Sequence, residues 1–251
     1  MNKISAVIIS HNNEADIGRC LKSLKTVADE IIVVDGFSDD KTVNICREHG
    51  AIVHSLEWHG YAFNKNFGNQ KASFDHILSI DSDEALSPEL SASILSEKPH
   101  LAELYTFNRL TNYCGKWIRH CGWYPDIKLR LFDRRVAAWE GDFVHETLNY
   151  SSEAAVKHLS GDLLHYSFAS ISDHLQRIDT YSNLAADEII DQDKSVPVLK
   201  VIFSPLVKFL KTYIVKLGML DGFYGFCISI LSALDIFVRN AKVISKRRQK
   251  D

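Results

Sequence analysis

Three carboxylates follow a short apolar run in the stretch 76–84, which reads HILSIDSDE. The apolar part has the length and content of a buried strand, and Asp81, Asp83 and Glu84 come where that strand ends. In an open α/β sheet, ligands bind in the crevice at the carboxyl ends of the strands, and carboxylates there suit a hard divalent cation that carries phosphates. Asp-rich tripeptides also mark ordinary turns from strand to loop, so both interpretations remain open.

A second group of acids lies in WEGDFVHETL, residues 139–148. Glu140, Asp142 and Glu146 fall within seven residues, together with His145. Such a group can supply a general base, which must be ionised and within reach of the attacking hydroxyl. It can equally form a polar turn in which Glu146 caps a helix.

Several basic and imidazole side chains are candidates for contacts with an anion or a metal. Lys65, in WHGYAFNKNFGNQKA, either meets a phosphate or base near a helix start or belongs to a surface loop leading into that helix. Lys128 and Arg130 alternate with apolar residues in IKLRLF, which indicates a half-buried strand with a basic face or a solvated edge strand. His165 lies at the end of a short apolar strand. It is either a metal ligand or a hydrogen-bonded structural residue.

These residues need elements that bring them together, and the chain predicts such elements by alternating strands and helices. Polar residues follow each strand, which is typical of a doubly wound, mostly parallel sheet flanked by helices. The predicted strands are 4–9, 30–35, 51–54, 76–80 and 104–110, with helices between them and at 88–96.

The length of the chain fits one α/β domain, or one such domain plus an appendage. Of the 251 residues, 46% are hydrophobic and 24% are charged, which is enough to bury a full core. Five scattered cysteines without a C-x-x-C pair argue against a disulfide framework or zinc site, and the opening residues are too short for a signal peptide. We therefore expect a cytoplasmic protein.

The last part of the chain differs from the rest in charge and hydropathy. From Pro197 onward the net charge is +7, although the whole chain carries −3. A polar amphipathic helix over 170–193 precedes it, and the run 222–238 has 17 residues with only Asp235 charged. This is short for a span, so we expect two amphipathic or re-entrant helices on a membrane surface. Ordinary packing helices or a dimer interface are the alternatives.

Four segments of the first hundred residues together resemble family 2 glycosyltransferases of the GT-A fold. They are ISAVIISHNNEADIGRCLKSL, EIIVVDGFSDDKTVNIC, NKNFGNQKA and ILSIDSDE, in this order and spacing. Within that family, LRLFDRR, WEGDFVHETL, LLHYSF and GMLDGFYGF are similar to the bacterial lipopolysaccharide core β-1,4-glucosyltransferases. The resemblance implies a GT-A, Rossmann-like domain over residues 1–168 and membrane-associating helices over 169–251.

The same resemblance implies a sugar nucleotide, UDP-glucose in this subgroup, and the residues that bind it. Asp35 contacts the uridine together with the loop residues Ser10, His11, Asn12 and Glu14.

Asp81 lies on the ribose side, and Asp83 holds the Mg or Mn that bridges the diphosphate. The resemblance also lets Lys65, Lys128 and Arg130 help to neutralise the negative charge of the diphosphate. His165 becomes a second metal ligand, since related enzymes supply a His after the base.

Inverting transfer also needs a base on the face of the sugar opposite the leaving diphosphate. This chain departs from the family's usual E-D pair and offers Glu140, Asp142 and Glu146 instead, so the choice stays open. We favour Glu146, with Asp142 second, because Glu146 stands in the VHE that resembles the subgroup.

The implied function is transfer of a hexose from a UDP-sugar to a heptose of the lipopolysaccharide inner core. The implied partners are a lipid-linked core oligosaccharide and the inner face of the cytoplasmic membrane, where the protein is peripheral, and no nucleic acid. Alternatives are another acceptor, such as a polyprenyl phosphate, capsule or exopolysaccharide, or a non-catalytic sugar-nucleotide-binding scaffold.

Overall fold

The structure is a computed structural model that describes residues 2–141 and 146–248. The chain divides into two compact units. The first comprises Met1–Arg109 and Asp126–Tyr166, and the second comprises Leu110–Pro125 and Ser167–Asp251. The assignment of catalysis to residues 1–168 and of membrane association to residues 169–251 concerns function and stays a prediction.

The first unit begins with the predicted alternation of strands and helices. Its elements are β1 (Ile4–Ser10), α1 (Ile17–Leu24), β2 (Glu30–Asp35), α2 (Thr42–Glu48), β3 (Ile52–Ser55), α3 (Tyr61–Lys71) and β4 (His76–Asp81). The four strands are parallel and lie in the order β3, β2, β1, β4. Alternate residues of β1 enter different hydrophobic clusters, Ala6 and Ile8 one and Val7 the other, so both faces of the sheet are covered.

Beyond β4 the sheet becomes antiparallel. The further elements are β5 (Glu84–Leu86), α4 (Pro88–Glu97), β6 (Leu104–Tyr113), β7 (Lys116–Trp117), β8 (Asp126–Asp133), β9 (Ala137–Glu140), β10 (Thr147–Tyr150) and β11 (Val156–Phe168). The sheet continues from β4 through β8, β6 and β11 to β5, while β9 and β10 form a separate pair. The predicted GT-A-type α/β fold, a sheet flanked by helices, is confirmed, but the prediction that the sheet is mostly parallel is wrong. The sheet is mixed, because β8 pairs antiparallel with β4 and β6, and β5 pairs antiparallel with β11. Because β8 pairs with both β4 and β6, the interpretation of IKLRLF as an edge strand is wrong.

Helix α3 begins earlier than the sequence pattern predicts. Lys65, Asn66 and Gly68 lie inside it and not ahead of a helical turn, so the interpretation of Lys65 as a surface-loop residue is wrong. At Gly68 an added Cβ would lie only 2.4 Å from Cγ1 of Val7. Glycine therefore lets α3 lie directly on β1, which brings Lys65 over the sheet.

The second unit contains α5 (Ile171–Asp191), α6 (Val198–Leu210) and α7 (Gly222–Arg248). The predicted helix from Ser170 onward is confirmed. Ser170 caps it, because its hydroxyl accepts from the amide of Asp173 at 3.1 Å and its own amide donates to that carboxylate at 2.9 Å. Both α5 and α6 pack against α7.

The GMLDGFYGF segment shapes the entry into α7. The buried carboxylate of Asp221 accepts from the backbone amide of His120 at 2.8 Å and lies 3.1 Å from its Nδ1. At Gly225 an added Cβ would lie 1.9 Å from the carbonyl oxygen of Gly218. This close approach explains why position 225 needs a glycine.

Large apolar side chains are exposed on α6 and on the segment that follows it. They include Leu199, Phe203, Leu206, Val207 and Val215. Among the described residues, one stretch, Gly218–Arg248, is long and apolar enough to cross a membrane by length and composition, and 28% of its most apolar window is buried. Most of this apolar surface is thus not used in the core of the unit.

Candidate active site

The carboxyl ends of three parallel strands meet at one edge of the first unit. Ser10 at the end of β1 pairs in register with Asp35 of β2, and its neighbour Ile9 pairs with Asp81 of β4. The two carboxylates therefore flank the end of β1, as the strand pattern predicts.

Reciprocal hydrogen bonds join the loops that follow β1 and β2. The amide of Asn12 donates to the hydroxyl of Ser38 at 2.9 Å, and the side-chain oxygen of Asn12 accepts from the amide of Asp39 at 2.9 Å. Glu14 accepts from the amide of Lys41 at 3.1 Å. Asn12 and Glu14 thus hold the second loop in place, whatever else they contact.

Asp35 is buried, and each of its carboxylate oxygens accepts one hydrogen bond within its own loop. One carboxylate oxygen accepts from the amide of Ser38 at 3.0 Å, and the other accepts from the Ser38 hydroxyl at 2.5 Å. His11 is exposed beside Gly36, where an added Cβ would lie 3.4 Å from the Cβ of His11. Of these two predicted nucleotide contacts, the imidazole of His11 is therefore more accessible than the carboxylate of Asp35.

Asp81 lies between two buried cations. Nη2 of Arg130 lies 2.8 Å from one carboxylate oxygen, and Nζ of Lys65 lies 3.2 Å from the other. Burial alone would raise the pKa of Asp81, but the charges of Arg130 and Lys65 outweigh it and hold the pKa well below its usual range. The same ion pair raises the pKa of Arg130 against the opposing effect of burial.

Lys65 links Asp81 to Glu146, which lie far apart in the sequence. Its Nζ also lies 3.2 Å from Oε1 of Glu146, and only 2% of the Lys65 side chain is exposed. Glu146 precedes β10, so the interpretation of this residue as a helix cap is wrong. A half-buried carboxylate with one ammonium partner is chemically able to accept a proton.

The indole of Trp139 supports both cations. Nζ of Lys65 lies 4.6 Å from its ring centroid, and the guanidinium carbon of Arg130 lies 5.7 Å away. The side-chain amide of Asn66 binds both backbone groups of Trp139, donating at 2.7 Å and accepting at 3.1 Å. Asn66 of α3 therefore holds strand β9, which carries Trp139, in place.

Two further residues, Glu84 and Arg109, extend this charge network. Glu84 is buried and accepts from the amide of Asp81 at 2.9 Å; burial first, and then the charge of Asp81, raise its pKa. Nη1 of Arg109 lies 3.5 Å from Glu84, and Nη2 lies 2.8 Å from Asp126. Lys128 binds Asp126 at 3.0 Å, so the structure places it at the outer end of the network and not beside Asp81.

Arg109 and Trp139 were not predicted as site residues. The sequence carries one weak sign of each, a charged residue inside an apolar strand and a tryptophan beside a group of acids.

Asp83 and His165, the predicted metal ligands, are in contact. Oδ2 of Asp83 lies 3.3 Å from Nε2 of His165, and the carbonyl of Asp83 accepts from the amide of Tyr166 at 2.9 Å. Neighbouring ligands in the octahedral shell of Mg²⁺ lie about 3 Å apart, so this pair fits a divalent cation. No group of three or more His, Cys, Asp or Glu side chains suited to a metal occurs within 2–141 and 146–248. Two protein ligands, completed by phosphate and water, are the usual way of binding such a cation.

The other predicted bases have different surroundings. Glu140 is exposed and accepts from the side-chain amide of Asn149 at 2.9 Å. Asp142 and His145 lie outside the described residues.

The whole chain is similar to known glycosyltransferases. A model of glycosyl transferase family 2 matches residues 5–121. An uncharacterised glycosyltransferase of Rickettsia typhi is 31% identical over 254 residues, which cover 97% of this chain and 87% of the relative. The chain belongs to glycosyltransferase family 2. The predicted family is thereby confirmed, and the protein is a sugar transferase.

Two further proteins are similar to this family 2 chain over different lengths. The lipopolysaccharide core biosynthesis glycosyltransferase LpsC of Rhizobium meliloti is 27% identical over 261 residues, with 98% of this chain and 94% of LpsC covered. The glucosyl-3-phosphoglycerate synthase of Mycobacterium tuberculosis, solved with Mn²⁺ and UDP, is 22% identical over 44% of each chain, with a TM-score of 0.37.

Proposed function

We propose that this family 2 enzyme is an inverting transferase that moves glucose from UDP-glucose to a heptose of the lipopolysaccharide inner core. The similarity to LpsC along 98% of the chain supports the acceptor class. The lipid-linked core oligosaccharide is the proposed partner at the inner face of the cytoplasmic membrane.

The observation that carries the proposal is the bridge from Asp81 through Lys65 to Glu146, with 3.2 Å at each contact. It connects the strand edge, where the nucleotide of a family 2 donor is expected, to a carboxylate that is not part of that edge. Glu146 is the proposed base. It takes the proton of the acceptor hydroxyl while the hydroxyl oxygen bonds to C1 of the sugar and the bond from C1 to the diphosphate breaks.

Asp83 and His165 are the proposed ligands of Mg²⁺ or Mn²⁺. When bound, such an ion neutralises the charge that develops on the diphosphate as it leaves. Arg130 and Lys65 add two buried positive charges beside Asp81. Lys128 adds a third, more exposed charge farther out, where it pairs with Asp126.

The remaining predicted donor contacts are proposed for the loops at the strand edge. Ser10 and His11 offer a hydroxyl and an imidazole for the nucleoside, and Asn12 and Glu14 keep the loop in shape. Asp35 is proposed to contact the uridine. One of its oxygens, which already accepts a hydrogen bond from Ser38, then accepts a second hydrogen bond from the nucleoside.

Membrane association through the second unit is part of the same proposal. The exposed apolar side chains of α6 alternate with Lys200 and Lys208, a pattern that suits an interface with anionic lipid. The long apolar stretch Gly218–Arg248 is weak support, because core helices of soluble proteins can have the same length and composition.

A donor screen tests the chemistry. Purified protein with Mg²⁺ or Mn²⁺ is given UDP-, GDP- and other nucleotide sugars, and diphosphate release is measured with and without a heptose-containing core acceptor. Acceptor-stimulated turnover of UDP-glucose is expected. Transfer only to polyprenyl phosphate or a polysaccharide chain would overturn the acceptor, and binding without transfer to any acceptor would favour a scaffold.

Glu146→Gln tests the base. The substitution keeps the shape and should lower kcat by about 10²- to 10⁴-fold with little change in the KM for the donor. Glu140→Gln is the matched control, since the hydrogen bond of the Glu140 side chain within the described residues comes from the side-chain amide of Asn149. Full activity in Glu146→Gln would reject this residue and direct attention to Asp142.

A further inference from the structure

A cavity of about 360 Å³ lies within the second unit, among α5, α6 and α7. The volume is at the lower end of the range for small-molecule sites, about 300–1,000 Å³. All of its lining residues belong to this unit, so it is separate from the charge network around Asp81. Nothing in the proposed sugar transfer uses it.

The walls of the cavity combine apolar faces with charged side chains. Helices α5 and α7 each contribute residues at helical spacing, which places these residues on facing sides. The lining comprises Phe168, His174, Arg177, Ile178 and Tyr181, then Lys208 of α6, and Ser232, Asp235, Ile236 and Arg239 of α7.

Two of the three cations in the cavity have neither a hydrogen-bond nor an ion-pair partner among the described residues. Three of the four basic residues that follow on α7 are paired: Lys242 with Asp179 at 2.7 Å, Lys246 with Asp187 at 2.6 Å and Arg247 with Asp193 at 3.2 Å. The fourth, Arg248, is exposed at the end of the helix.

Within the described part of the chain, by contrast, Arg239 and Lys208 make neither a hydrogen bond nor an ion pair, and Nε of Arg239 is buried without an acceptor. Arg177 differs, because its guanidinium already binds Ser167 and lies over Phe168 at 4.7 Å.

The balance of charge in the cavity is positive. Three cations face one carboxylate, Asp235, whose pKa is raised by burial although Arg239 and Lys208 oppose the shift. His174 contributes no charge at neutral pH, because burial, and next the charge of Arg177, lower its pKa to about 4. A ligand that brings about two negative charges would neutralise the walls.

We infer that this cavity binds a phosphomonoester, with Arg239 and Lys208 as its direct partners. A phosphomonoester carries about −1.5 to −2 at pH 7 and offers three acceptor oxygens, which suits a guanidinium and an ammonium that lack partners. The apolar side chains Ile178, Tyr181 and Ile236 leave room for the group that carries the phosphate. That group is either a soluble phosphorylated sugar or the headgroup of a phosphorylated lipid, since Lys208 stands on the helix with the exposed apolar face.

Binding of glycerol 3-phosphate to the full chain, measured by calorimetry without any sugar nucleotide, tests the inference. Arg239→Gln and Lys208→Gln should each weaken binding about tenfold, because each removes a charged hydrogen-bond donor. Lys200→Gln, an exposed lysine on the same helix outside the cavity, is the matched control and should leave the affinity unchanged. Asp235→Asn should tighten binding several-fold.

The inference is overturned if the wild-type chain shows no saturable binding, if Arg239→Gln and Lys200→Gln behave alike, or if Asp235→Asn weakens binding. Thermal unfolding of each variant checks that the fold is retained, and the gain expected for Asp235→Asn cannot come from misfolding. None of these outcomes bears on the donor screen, so this inference and the proposed function fail separately.

Vesicles distinguish the two sources of the phosphate. Phosphatidylcholine vesicles with and without phosphatidic acid are sedimented with the protein. Arg239-dependent binding to phosphatidic acid that glycerol 3-phosphate displaces supports a lipid headgroup. Binding of glycerol 3-phosphate with no Arg239 dependence on vesicles supports a soluble phosphorylated ligand in the same cavity.

Discussion

Replacement of Lys65 by Met would remove the cation that links Asp81 and Glu146 while keeping a long apolar side chain against Trp139. Both ion pairs measure 3.2 Å, and the Lys65 side chain is 2% exposed, whereas its two carboxylate partners are 28% and 20% exposed. Removing one partner of a fully buried pair costs about 3–5 kcal/mol. Water reaches the two carboxylates here, so we expect the free energy of unfolding to fall by about 2–3 kcal/mol at neutral pH.

Lys128→Met is the matched control for this substitution. Lys128 also forms an ion pair, 3.0 Å from Asp126, but the two side chains are 33% and 30% exposed. Pairs this exposed contribute about 0–1 kcal/mol. Urea unfolding of both variants at pH 7 should therefore separate them by about 2 kcal/mol.

The pH dependence tests whether charge, and not packing, is the cause. Asp81 has a lowered pKa in the folded protein, so its contribution to stability is present above the unfolded pKa of about 3.9 and is lost as the pH falls towards the folded value. The deficit of Lys65→Met should therefore shrink as the pH drops below about 4. An equal deficit at acid and neutral pH, or equal stability of the Lys65 and Lys128 variants, would refute the electrostatic explanation.

Three further outcomes follow from particular contacts. Gly68→Ala should lower the free energy of unfolding by about 1–3 kcal/mol, measured in urea, because the new Cβ would overlap Val7 of the sheet. Gly18→Ala in α1, where an added Cβ would lie 3.6 Å from Cγ2 of Ile45, should be neutral or stabilising. A larger loss of stability in Gly18→Ala than in Gly68→Ala would contradict this packing. The pKa of His174 is about 4 in the folded protein against about 6.5 in the unfolded chain, so its contribution to stability is present above pH 6.5 and is lost as the pH falls towards 4. The loss is up to about 3 kcal/mol, so the free energy of unfolding of His174→Gln should change less with pH across this range than that of the wild type. Asp83→Asn should weaken Mn²⁺ binding, followed by electron paramagnetic resonance, at least tenfold, and unchanged binding would remove Asp83 from the metal site.

The local sequence determined the elements of the first half of the fold. Apolar, β-branched runs followed by polar residues are enough to mark parallel strands and their carboxyl ends, so β1, β2 and β4 and the positions of Asp35 and Asp81 could be predicted. Side-chain alternation also identified β8 as a strand with a basic face. It could not say that β8 is interior, because pairing partners are set by contacts between distant segments.

The composition of the charge network was decided only by tertiary structure. Lys65 and Glu146 are 81 positions apart, and their contact exists because Gly68 lets α3 lie close to β1 and because Asn66 holds the strand of Trp139. No periodicity in the sequence carries that information. Arg109 was missed for the same reason, since its role depends on a pairing between β6 and β8 that brings Asp126 beside it.

The second unit divides in the same way. Hydropathy and the Ser170 capping box determined that long helices follow residue 169, because these signals act within one or two turns of the chain. Which basic residues are paired was decided by the packing of α7 against α5, which gives Lys242 and Lys246 acidic partners and leaves Arg239 without one among the described residues. Charge counted along the sequence shows that the tail is basic, and only the three-dimensional arrangement shows where that charge remains free to bind a ligand.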